Sequence, residues 1–229
     1  MSTPDPFDVE RYRTAPGRRA VVRQCPSTLL VLGSTQPEAV LDHEALARSA
    51  VPVARRRTGG GAVWLGPDDP LWIDLWVPRG DPLFRDDAAR AVDWVGEWWS
   101  AALAQVGFGP TDVSRSMQPV DEIAALVCFA GLGAGEVHRG GRKVVGVAQW
   151  RSREGALVHC AAYRRWSPEP LLGLLNWKGT DREMARRRLL DAAVGFDTPD
   201  APVSRGALTL ALVDSLPDGE WDVSVEATG

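Results

Sequence analysis

Arg55-Arg56-Arg57-Thr58-Gly59-Gly60-Gly61-Ala62-Val63 runs three arginines and a threonine into a glycine triplet that opens an apolar strand. Without Cβ atoms, Gly59, Gly60 and Gly61 can take positive φ and let a ligand approach the main chain, with successive N–H groups converging on one concavity. The adjoining arginines add fixed charge and forked donors. The stretch therefore reads as an anion-binding turn, against the plainer alternative of a hairpin turn with a solvated basic edge.

Working outward, residues 51–54 enter the turn as a strand and residues 62–65 leave it as another. Upstream, residues 20–23 and 28–32 suit two short strands separated by Cys25-Pro26. Pro37 opens a helix expected to run through Ala50, with Val40, Leu41, Ala45 and Leu46 as its apolar stripe. Residues 1–16, polar and broken by proline, are expected to be loosely held. Downstream, residues 71–77 form a mostly buried strand, and Asp86-Asp87 start the longest helix, which ends at Gly107. The tryptophans on that helix, Trp94 and Trp98, read as core.

Residues 123–129 read as a buried strand, and residues 136–139, 143–150 and 156–163 as a β-meander. The part from 167 to 216 turns helical. Strands dominate first and helices last, so the expected class is α+β, a mixed β-sheet core flanked by helices, in one domain spanning 1–229.

Composition narrows the function. With 45% hydrophobic and 24% charged residues the chain can bury a full core. The absence of any eighteen-residue apolar run or apolar N-terminal segment predicts a cytoplasmic protein with no membrane partner. A net charge of -4 argues against general nucleic-acid binding. Cys25, Cys128 and Cys160 are too widely spaced for a disulfide framework or structural zinc. Of 26 basic residues only Lys143 and Lys178 are lysine. Lys143 is thus expected where a compact ammonium is needed instead of a planar fork.

Three blocks carry a resemblance. Arg55 to Val63 resembles the arginine pair and triple-glycine signature of the lipoate-protein ligase A family. Gly141-Arg142-Lys143-Val144-Val145-Gly146-Val147-Ala148-Gln149 is similar to its second signature, and Leu32-Gly33-Ser34-Thr35-Gln36 to its first strand and loop. The resemblance implies the class II synthetase-like catalytic domain shared with biotin-protein ligases and cysteine-type octanoyltransferases. It implies an enzyme of protein lipoylation that uses ATP and Mg2+ to activate lipoate or octanoate as an acyl-adenylate. The acyl group then passes to a lysine on a lipoyl or biotinyl carrier domain of a dehydrogenase complex or glycine-cleavage protein. Lys143 would lie between carboxylate and phosphate, with Arg55, Arg56, Thr58, Gly59, Gly60, Gly61, Ala62, Val63, Gly146, Val147, Ala148 and His159 around the ligand.

The sequence departs from the ATP-using ligases in several places. It is expected to lack the accessory C-terminal domain of the larger ligases, which leaves room for a separate accessory subunit. Gly135-Glu136 stands where an Asn-Asp pair is usual, making Glu136 the candidate metal ligand. Trp64-Leu65 replaces a histidine two positions beyond the glycine block, and Cys160 stands where a glycine follows the family histidine matched by His159. An alternative therefore stays open: Cys128, fifteen residues before Lys143, resembles the cysteine that carries octanoyl groups as a thioester without ATP. Against it, the apolar neighbours Val127 and Phe129 predict a buried Cys128. An inactive module that binds a lipoyl or biotinyl group is the third reading. The motifs leave lipoate, octanoate and biotin open as the acyl group.

Overall fold

The computed structural model describes residues 7–67, 69–88 and 90–227. Its centre is β5, Leu71–Pro78, buried along nearly its whole length because both faces of the sheet are covered. Neighbouring strands are β1 (Arg18–Gln24) on one side and β9 (Gly155–Ala162) on the other, both antiparallel to it. β8 (Arg142–Arg151), β7 (Val137–Arg139) and β6 (Asp112–Val113) follow outward from β9. On the far edge β10, Trp221–Ala227, pairs parallel to β1, which makes this seven-stranded sheet mixed. The expected meander is β7, β8 and β9.

Side chains alternate across the sheet, and its two faces have different partners. Leu71, Ile73 and Leu75 pack with Val95, Trp99, Ala102 and Leu103 of α3 (Asp93–Gln105) and with Leu208 and Leu212 of α7 (Arg205–Asp214). Burying each such aliphatic side chain contributes about 1.5–3 kcal/mol relative to exposure. Trp98 is core as expected, and its Nε1 joins the two helices by donating to Leu212 O at 3.0 Å. Trp72 and Ala161 face the other way, toward a small sheet ordered β3 (Val53–Arg55), β2 (Leu29–Leu32) and β4 (Val63–Leu65). The glycine turn thus does not close a hairpin: β3 and β4 lie on opposite sides of β2, and the turn crosses over its end.

Four expectations change. The helix expected over residues 37–50 breaks at Leu41, which pairs with Leu175 while Asp42 N donates to Leu174 O. A 3-10 turn at Glu38–Val40 and α2, His43–Ser49, remain, the latter capped by Asp42 through Ala45 N. The long helix starts at Asp93 instead of Asp86. Arg151 and Gln149 of β8 capture the carbonyls of Arg85 and Ala88, which a helical turn would use internally. Residues 123–129 are not a strand: Asp121 caps α4, Glu122–Leu126, and a 3-10 turn follows at Cys128–Ala130. Within the N-terminal stretch expected to be loose, Phe7, Val9 and Tyr12 are buried, and α1, Glu10–Arg13, holds the Tyr12 hydroxyl against Asp74 at 2.8 Å. Residues 1–6 of that stretch lie outside the described residues.

Helices α5 (Glu169–Leu174) and α6 (Arg182–Ala192), with α7, fill the part expected to be helical, and β10 beyond it was not anticipated. Among the described residues no helix is long and apolar enough to cross a membrane.

Candidate active site

Gly33, Gly61 and the turn after α4 meet at backbone distance. A Cβ on Gly33 would fall 1.9 Å from Gly60 O, and one on Gly61 would fall 2.6 Å from Val127 C. Both positions need glycine because main chain packs on main chain. Ala62 N donates to Leu126 O at 2.7 Å and Cys128 N to Ala62 O at 3.0 Å, and Gln36 Nε2 reaches Ala125 O and Leu126 O. The upstream block, the glycine run and the Cys128 turn are therefore bonded into one piece.

Arg56 shapes that piece from inside. Its guanidinium is buried and donates to Thr58 Oγ1, Gly59 O and Gly61 O at 3.0, 2.7 and 2.9 Å. Burial pushes Arg56 below the ordinary arginine range, opposed by the negative forms of Cys128 first and then of Tyr163 and Glu136. Arg55 likewise donates to Gly33 O and Gln36 O. Both arginines expected to meet a ligand anion thus hold main-chain carbonyls, Arg56 those of the glycine loop and Arg55 those of the upstream segment.

Gly60 lies at φ +94°, open on a cleft of about 1080 Å³. Its missing Cβ would stand 3.0 Å from Arg56 Nη2 and 3.7 Å from Cys128 Sγ. Gly60→Val is expected to cost about 1–3 kcal/mol of stability through backbone strain and to lower activity at the cleft by about tenfold or more through lost backbone access. Gly59→Val, where nothing lies within 4 Å and φ is not positive, is the matched control. Thermal unfolding and a turnover assay of the two variants check this; equal effects would return the run to the status of a plain turn.

Cys128 is half-buried and lines this cleft, although Val127 and Phe129 on either side are buried. The expectation of a buried Cys128 rested on its apolar neighbours; in the 3-10 turn those neighbours are buried while the Cys128 side chain faces the cleft between them. Lys143, at the start of β8, reaches the same turn and donates from Nζ to Cys128 O at 2.7 Å. It is also buried and paired with Glu136 Oε2 at 2.6 Å. Glu136 further accepts from Gly133 N and Val147 N at 2.6 and 3.3 Å. Its carboxylate is thus committed to Lys143 and to main chain. Among the described residues no group of three His, Cys, Asp or Glu could hold a metal ion.

Other expected residues separate. Val147 and Ala148 line the cleft with Gly59, Gly60 and Gly61. Gly146 lies beneath the Phe129 ring, where a Cβ would stand 3.4 Å from it, and Thr58, Ala62 and Val63 are buried off the cleft wall. His159 is also off the cleft wall, with Nδ1 2.5 Å from Asp74 Oδ1 inside a buried cluster in which Arg23, Tyr12 and Trp72 also donate to that carboxylate. His159 thus belongs to a buried polar network. Gln36 was missed as a site-building residue; its signal was a polar side chain closing the matched upstream block.

The arrangement brings a half-buried thiol, a cation bonded to the same turn and the glycine loop together around one cavity. The chain is similar to several known proteins. A model of the lipoyl protein ligase A/B catalytic domain matches residues 20–194. An octanoyltransferase LipM of Exiguobacterium sp. is 26% identical over 162 residues, 69% of the chain and 58% of that protein. One of Kyrpidia tusciae is 29% identical over 181 residues, 76% of the chain and 65% of that protein. The chain thus spans about three fifths of the length of these curated relatives. Among solved structures, a bi-partite lipoate protein ligase studied with its E2 lipoyl domain, from Thermoplasma acidophilum, shares the fold. Its TM-score is 0.70 at 18% identity, over 95% of the chain and 80% of the other.

Proposed function

As the chain belongs to the lipoyl protein ligase A/B catalytic domain family, we propose that it moves an octanoyl group, without nucleotide, from a thioester donor through Cys128 to a lysine of a lipoyl carrier domain. The observation that carries this reading is the half-buried Cys128 thiol in the cleft, beside Gly60 and on the turn held by Lys143. The Cys128 thiolate adds to the donor carbonyl, the donor's carbon–sulfur bond breaks, and the donor leaves as a thiolate that takes up a proton. A neutral lysine amine of the acceptor then attacks the Cys128 thioester. The amide forms with loss of one proton and the Cys128 thiolate is regenerated. In both steps Lys143 and the amides of Gly60 and Gly61 are the groups that stabilise negative charge on the carbonyl oxygen. The apolar wall at Val147 and Ala148 accepts the acyl chain. The protein acts in the cytoplasm in this reading, as one catalytic domain.

The size of the cleft and the glycine loop opening on it favour a second reading, in which ATP and Mg2+ activate lipoate or octanoate as the adenylate and Lys143 offsets the two anions. One assay separates them. The protein and an apo lipoyl domain are incubated with octanoyl thioester donor and no nucleotide, or with free lipoate or octanoate, ATP and magnesium. Transfer in the first mixture is expected. Transfer only in the second would establish the ligase reading instead, and none in either would leave a binding module.

A further inference from the structure

Among the described residues three basic side chains line the cleft: Arg115, Lys143 and Lys178. Arg115 is matched by Asp93 and Glu97, and Lys143 by Glu136. Among the described residues Lys178 has no ion pair, so it is the one cleft cation with its charge free for a ligand. Local structure presents it outward. Thr180 N donates to Trp177 O across a turn whose third residue, Gly179, has φ +80°, which leaves Lys178 exposed at the apex. The nearest carboxylate in sequence, Asp181, is occupied in capping α6 through Met184 N. Thr180, two residues on, also lines the cleft and carries a hydroxyl. Glu122 is the carboxylate that lines the same cleft from α4.

Along the cleft wall exposure rises from buried Lys143 through half-buried Cys128 to exposed Lys178. A donor whose thioester must reach Cys128 from outside needs a slender arm, and the arm's far end then lies near the rim. We infer that Lys178, with Thr180, is an anion subsite that takes the phosphate of a phosphopantetheine-linked acyl thioester, whether the arm is borne by a protein or by coenzyme A. This rests on the Cys128 thioester reading. A lysine ammonium is a compact point charge suited to a phosphate that arrives at solvent depth.

The test compares octanoyl-phosphopantetheine with octanoyl-pantetheine, which differ only by the phosphate. For the unaltered protein, kcat/KM should favour the phosphorylated donor by about tenfold, the size of one charge-assisted hydrogen bond. In Lys178→Ala the ratio should fall to near one through a rise in KM, and Lys178→Arg should keep most of it. Running octanoyl-coenzyme A and an octanoyl carrier protein in parallel names the source, since the physiological donor is the one with the greater kcat/KM that Lys178→Ala lowers. A ratio that is the same in Lys178→Ala as in the unaltered protein, or that is one in both, overturns the inference while leaving Cys128 in place. No turnover of any thioester by the unaltered protein removes the Cys128 reading and this inference together.

Discussion

Replacing Cys128 by serine is expected to lower octanoyl transfer from a thioester by more than about a thousandfold, the scale on which loss of a catalytic nucleophile is felt, while leaving the protein folded. The fold should tolerate the change because the side chain is half-buried and faces the cleft, and substitutions of that kind stay within about 1 kcal/mol. Among the described residues a hydroxyl has no base beside it to make it a comparable nucleophile: His159 and Asp74, a buried His–carboxylate pair, lie off the cleft wall. Intact-mass spectrometry after exposure to octanoyl donor gives an independent reading. An octanoyl adduct is expected on the unaltered protein and should vanish in Cys128→Ser. Transfer that survives in the variant, with ATP required, would put the chemistry on the adenylate.

Lys143→Ala is the second large effect, and it acts on two properties at once. Activity should fall by at least about a hundredfold, as when one oxyanion donor is lost. Stability should fall as well, by about 3 kcal/mol, because the change strands the buried Glu136 carboxylate without its cation. A buried pair does not permit one of its charges to be deleted without cost to the fold. Pairing Lys143→Met with Glu136→Gln removes both charges and should restore much of the stability without restoring turnover. Lys143→Arg should also remain poorly active, since a planar fork cannot keep the same contacts to Glu136 and Cys128 O. Denaturant unfolding and a transfer assay on the same preparations check both parts; an active Lys143→Ala would take Lys143 out of the mechanism.

Where local pattern and tertiary context agree, the sequence was readable. β5 and the meander β7–β9 follow from β-branched and aromatic runs, and α3 ends at Gln105, short of the expected stop at Gly107. Residues 123–129 show why the rest was not. Ile123, Ala124, Ala125, Leu126 and Val127 form an unbroken apolar run that fits a buried strand or a short helix equally. The cap at Asp121 was the deciding signal. β10 was missed because Val223 and Val225 alternate with polar residues at the exposed edge of the sheet, with little burial to mark them. In the site, the motif blocks located Lys143 and the glycine loop. They did not reveal that Arg56 turns inward, since charge in a sequence carries no direction.

The paired hydrogen bonds between Ala62 and the Leu126–Cys128 turn have a further consequence, in the order of assembly. These segments are far apart along the chain, and closing so long a loop is entropically slow compared with forming a local turn. The thiol therefore acquires its surroundings only when the small sheet and the α4 turn have already come together. A partly folded chain would carry the same cysteine without Gly60 and the neighbouring loop beside it.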